Sequence, residues 1–121
     1  MADRMLFLSW GQVVRGREER ALEVFNESMG LYGRMQQEGR IERFDVALLD
    51  PHAGAVHGYI ALHGSGAQIA ALRDDDEFRR LQADVLMVVD DLAIVDGYAT
   101  QGVADQMAIY TDAIAKVAQH A

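Results

Sequence analysis

Cysteine is absent from the 121-residue chain. That excludes disulfides, thiolate metal sites and a cysteine nucleophile, and it fits a reducing compartment. Bases are scarce: 11 lysines and arginines stand against 19 aspartates and glutamates, a formal net charge of -8. Such a surface repels phosphate backbones and anionic lipid, so neither a nucleic acid nor a membrane is an expected partner. Long hydrophobic runs are missing as well. The opening MADRMLFLSWGQVV holds only about four apolar residues in a row before Ser9, too few for a secretory signal, and no segment approaches the ~20 needed to span a bilayer. A cytoplasmic location is the resulting expectation. Low-complexity stretches, internal repeats and linkers are also lacking, which leaves a single domain over residues 1–121.

What is present is the composition of an ordinary globular protein, half hydrophobic and one quarter charged. The bases gather around Arg15, Arg17 and Arg20 and around Arg34, Arg40 and Arg43. Acids are interleaved among them, which reads as a solvated helix face. The large apolar side chains of MLFLSW predict a first strand over 5–14, with Gly11 marking a bulge or the close approach of another backbone. Leu22, Phe25, Met29 and Tyr32 recur at helical spacing and predict a helix over 17–38, ended by Gly39. Gly30 and Gly33 interrupt it, and close packing against a sheet is the expected reason.

Residues 41–63 read as a hairpin, IERFDVALLD and AVHGYIALH joined through Pro51, His52, Ala53 and Gly54. Both arms alternate with period two, so Phe44, Val46, Ile60 and Leu62 share one strongly apolar face. Ser65 with Gln68 and Asp74 with Glu77 have capping-box spacing and open two helical pieces. The run LAIV into Asp96-Gly97-Tyr98 reads as a last strand. A final helix over 103–118 carries Val103, Met107, Tyr110, Ile114 and Val117 on one stripe.

Strand, helix, strand, strand, helix, strand, helix is an α+β order: a ferredoxin-like βαββαβ unit with a four-stranded antiparallel sheet, helices on one face and an extra C-terminal helix. The other face carries Leu49, Tyr59, Ala61 and part of the first strand, and it needs a cover. A second copy of the chain is the simplest one. In element order over nearly its whole length, and in IAALRDDDEFRRL followed by LAIVDGY, the chain resembles the dimeric α+β barrel superfamily, whose subunits pair their open sheet faces. That resemblance implies a homodimer with a pocket between sheet and helices or inside the barrel. The superfamily includes cofactor-free monooxygenases, isomerases and haem proteins, but no catalytic motif carries over residue by residue.

A hairpin turn centred on His52 pairs Ala47 with His57, Asp45 with Tyr59 and Arg43 with Ala61. Arg43, Asp45, His57 and Tyr59 then become neighbours on the open face. In a small polar site there His57 would be the acid–base group, Tyr59 a donor, Asp45 an orienter and Arg43 an anion holder. The same residues also suit a structural network at a dimer interface. Trp10 is a candidate pocket wall and His63 a further ligand-binding candidate on the same face. His57 and His63 lie six residues apart, about 20 Å along a strand at ~3.3 Å per residue, so they cannot share one metal ion. A single histidine bound to haem is the one cofactor role the spacing permits; the expectation is no metal and no cofactor. Gly64-Ser65-Gly66 lacks the lysine of a phosphate loop, and Asp74-Asp75-Asp76 is accounted for by a helix N-terminus. Three functions follow as expectations. The first is a homodimer binding a small, partly apolar molecule beside Trp10, His57 and Tyr59. The second is a cofactor-independent monooxygenase or isomerase using His57, and the third an assembly module without a ligand.

Overall fold

The computed structural model describes residues 2–117. Its elements follow the expected order: β1 (Arg4–Trp10), α1 (Glu18–Gln37), β2 (Arg43–Leu48), β3 (Gly58–Gly64), α2 (Gly66–Asp74), α3 (Asp76–Leu86), β4 (Ala93–Tyr98) and α4 (Gln101–Lys116). The four strands form one antiparallel sheet in the order β2-β3-β1-β4, the ferredoxin-like topology. Among the described residues no helix is long and apolar enough to cross a membrane.

Period two decides which side chains meet the helices. Leu6, Leu8, Ile60 and Leu62 point to one face and are almost fully buried. Against them pack Val24, Leu31, Tyr32 and Met35 of α1, Ile69 and Leu72 of α2, and Phe78 and Leu81 of α3. Burying each large apolar side chain contributes about 1.5–3 kcal/mol, which makes this layer the main source of stability. The helix ends follow from local chemistry. Gly39 takes a φ of +74° just past α1, a conformation that costs glycine little. Ser65 and Gln68 form a reciprocal capping box on α2. For α3 the cap is one residue later than expected: the Asp75 carboxylate, not Asp74, accepts from the Phe78 N–H. The arginine clusters meet acids, with Arg34 on Glu77 at 2.7 Å and Arg40 on Asp75 at 2.8 Å.

Three expectations change. The first strand stops at Trp10, and Val13 rejoins the fold only as a single bridge to Val89. Gly11 is nonetheless where two backbones approach: its N–H donates to the Asp90 carbonyl at 2.7 Å, and a Cβ there would lie 2.9 Å from the Ala55 carbonyl oxygen. Gly30 and Gly33 do not pack closely, because a Cβ at either would meet nothing within 4 Å, and nothing in the structure explains them.

The third change is the hairpin register. Arg43 pairs with His63, Asp45 with Ala61 and Ala47 with Tyr59, a shift of two residues. The cause lies in the connection. The His52 ring uses both nitrogens, Nδ1 accepting from the Gly54 N–H at 2.8 Å and Nε2 meeting the Val56 carbonyl at 2.6 Å. This closes a loop centred on Ala53, and Leu49 then donates to the His57 carbonyl. Because the shift is even, every side chain stays on its expected face while its neighbours change.

Candidate functional site

An apolar cavity of about 340 Å³ lies between the sheet and helices α1 and α3. Leu8 and Trp10 of β1 and Ile60 of β3 form its floor, and Val24 and Phe25 of α1 and Val85 of α3 contribute to its walls. The floor is shaped by a glycine. The Trp10 indole lies across Gly58, where a Cβ would come within 2.5 Å of the ring, and meets Phe25 edge-on at 6.5 Å. Leu22 and Leu48 also line the cavity yet are 63% and 70% exposed, so they stand at its mouth. An apolar, half-open hollow of this size fits a small organic molecule.

Two polar side chains sit deep in that wall. Tyr32 is 1% and Gln82 7% exposed, and the Gln82 amide donates to the Tyr32 hydroxyl at 2.9 Å. Burial pushes the Tyr32 phenol up to about 12, against a smaller downward pull from the Gln82 hydrogen bond. The phenol is therefore neutral at physiological pH and keeps its own hydrogen to donate. Ser28, nearby, is already satisfied by the Val24 carbonyl at 2.8 Å. Sequence reasoning took Tyr32 only as part of the apolar stripe and missed Gln82. The available signal was a glutamine four residues after Phe78, on the buried side of a helix otherwise carried by Phe78, Leu81 and Val85.

The open face holds a different arrangement. Phe7 and Tyr59 stack at 5.1 Å. At one flank the Asp45 carboxylate takes a hydrogen bond from Arg43 at 2.6 Å and faces His63 Nε2 at 3.1 Å. The Arg43 hydrogen bond holds the Asp45 carboxyl below the usual carboxylate range. An ionised Asp45 can only accept, so Nε2 of His63 is the donor in this contact. The His63 side chain is 8% exposed and its Nδ1 is buried without a hydrogen-bond partner. A buried ring nitrogen without a partner is costly and calls for an explanation.

The expected quartet of Arg43, Asp45, His57 and Tyr59 is thus divided by the two-residue register shift. Arg43 and Asp45 stay together, His63 joins them, and Tyr59 turns to Phe7. His57 lies at the sheet end, stacked on His52 at 4.5 Å, beside a polar cleft of about 550 Å³ that also borders Arg15, Asp90 and Asp91. Trp10 alone of the candidates lines the apolar cavity. Among the described residues no group of three or more His, Cys, Asp or Glu converges as a metal site.

No protein-family model matches this sequence, and no curated protein matches it. Solved structures do. A hypothetical protein from Arabidopsis thaliana is similar with a TM-score of 0.63 at 14% identity, over 83% of this chain and 90% of its own. A dimeric ferredoxin-like protein of unknown function from Jannaschia is similar with a TM-score of 0.60 at 12% identity, over 79% and 98%. A mutant form of SnoaB, a cofactor-independent oxygenase from Streptomyces nogalater, is similar with a TM-score of 0.52 at 14% identity, over 82% and 93%. At such identities these likenesses establish the ferredoxin-like α+β fold.

Proposed function

We propose that this protein works as a homodimer, paired through its open sheet faces, that binds a small and largely apolar molecule in the cavity between the sheet and helices α1 and α3. The observation that carries this reading is the cavity itself: a hollow walled by Trp10, Phe25 and Ile60 with one neutral phenol, Tyr32, at its inner wall. A ligand with an apolar body and a single carbonyl or ether oxygen would satisfy both. For the homodimer the support is the exposed Val95 and the stacked Phe7 and Tyr59 on the face opposite α1, α2 and α3, together with the described dimeric state of a neighbour in fold.

Trp10 is the sole tryptophan, so its emission reports on the cavity. Titration with the hydrophobic probe 1-anilinonaphthalene-8-sulfonate should quench Trp10 by energy transfer, and Ala21→Phe, which fills the hollow, should abolish the transfer while the fold is kept. Equal transfer in both proteins would sink the reading. Sizing at micromolar concentration tests the homodimer, and a mass of one chain would refute it.

A second reading, a cofactor-independent enzyme with an acid–base histidine, is favoured by one observation: Asp45 orients His63, whose Nδ1 is buried without a hydrogen-bond partner. His63 is better supported in that role than His57, which no carboxylate is seen to orient. Mass spectrometry of a molecule co-purified with the wild type, incubated with wild type and with His63→Gln, decides it. Conversion by both at equal rates removes His63 from the chemistry.

A further inference from the structure

A second hollow, about 310 Å³, lies between α3, the end of α2 and strand β4. Phe78, Leu86 and Ile94 make its walls mostly apolar. Gln82 and Leu92 border this hollow and the first cavity alike, so the two meet at these side chains. Gln82 is deeply buried and holds the Tyr32 hydroxyl at 2.9 Å. Leu92 is only half-buried and precedes β4.

Charge distinguishes the two hollows. Among the described residues the one charged side chain bordering the first is Glu18, whereas Arg73 and Arg79 border the second without an acid. Arg73 is held by Asp96 at 3.4 Å. Arg79 is different. The acids one turn before it are engaged elsewhere, Asp75 by Arg40 at 2.8 Å and Asp76 by Arg80 at 2.7 Å, and among the described residues Arg79 has no ion-pair partner. Acids outnumber bases 19 to 11 in this chain, yet one guanidinium is left over at the rim of an apolar hollow. A planar guanidinium matches a carboxylate with two parallel hydrogen bonds. A single uncompensated charge suits a monoanion, and with Arg73 already paired no second guanidinium is free for a doubly charged phosphate ester.

We infer that the ligand is an apolar-chain carboxylate, whose body lies in the first cavity and whose head reaches Arg79 through the second hollow. The chain passes between Gln82 and Leu92, and the half-buried Leu92 is the side chain that gives way. This rests on the ligand-binding cavity proposed above and adds the charge and direction of its occupant. With an oxygen at Tyr32 and a carboxylate at Arg79, the ligand carries two polar points along one apolar chain.

Isothermal titration calorimetry with decanoate and with decanol, two chains of one length with and without the charge, tests this. Wild type should bind decanoate roughly fivefold or more tighter than decanol, the gain from a charge-assisted contact at a partly solvated site. Arg79→Gln, at an exposed position that leaves the fold intact, should remove that preference and leave decanol binding unchanged. Ala83→Trp, which fills the second hollow alone, should do the same. Ala21→Phe, which fills the first cavity, should abolish binding of both probes. Equal affinities in the wild type, a preference that survives Arg79→Gln or Ala83→Trp, or undiminished decanoate binding by Ala21→Phe overturns the inference. The two failures are distinguishable through decanol. If wild type binds decanol and Ala21→Phe does not, the cavity reading stands even where the carboxylate preference fails; if wild type binds neither probe, reading and inference fall together.

Discussion

On the helix side of the sheet Leu6, Leu8 and Leu62 are at most 2% exposed, and α1, α2 and α3 cover them. On the other side Val95 is 53% exposed, and around it lie an aromatic stack, an Arg–Asp–His cluster and small residues such as Ala47 and Ala61. The same strands make both faces, so backbone geometry cannot be the difference. What differs is the covering layer. One face is completed within the chain, and the completion leaves a hollow. The other is apolar in its middle and charged at its flank, the pattern on which the proposed homodimer rests.

The contrast can be broken or sharpened by substitution. Leu6→Ala, at a fully buried position, should lower unfolding stability by about 2–5 kcal/mol in a denaturant titration; a loss below 1 kcal/mol would mean the helix face is not the main core. Tyr32 gives a pH signature on the same side. Its phenol is raised in the folded state to about 12 from 10, so the associated stability is complete below pH 10 and is lost as pH climbs from 10 through 12, by about 2–3 kcal/mol. Tyr32→Phe should remove that alkaline slope, and an unchanged slope would assign it to another group. On the open face Val95→Glu should leave single-chain stability nearly unchanged and weaken self-association by roughly tenfold or more, ~1.4 kcal/mol, in sedimentation or dilution sizing. Smallest is Asp45→Asn. Arg43 holds the Asp45 carboxyl low, so its stabilisation is present above about pH 4 and lost as pH falls below that. Because the side chain is half exposed and screened, the effect should stay under about 1 kcal/mol in acid titrations of wild type against variant.

How much of this was legible in the sequence differs between the two faces for physical reasons. Alternation in FDVAL and GYIAL fixes the face of every residue whatever the register, so the core side was readable from 43 to 62 without knowing the turn. Neighbours across strands depend on the loop, and the loop depends on a side-chain contact, His52 to Gly54 and Val56, that composition cannot reveal. That is why Arg43 and Asp45 were placed correctly together while His63, not His57, completes the cluster. Trp10 was expected beside His57 and Tyr59, but it shares the parity of Leu6 and Leu8 and so lines the cavity on the helix side of the sheet. Gln82 and Tyr32 meet across 50 residues, between helices whose relative rotation is settled only by packing.

One consequence of the sheet order concerns time. The central strand β1 is made first, yet it is flanked by β3 and by β4, the latter through pairs such as Leu6 with Asp96. The β2–β3 pair closes a short loop and can form as soon as both arms exist, whereas β1 must wait across some 90 residues for its last neighbour. Until then one edge of a strongly apolar strand stands bare, the moment at which this chain is most open to pairing with the wrong molecule. Pulse-labelled hydrogen exchange during refolding should protect residues 43–48 and 58–64 before residues 93–98; the reverse order would show that the ends of the chain find each other first.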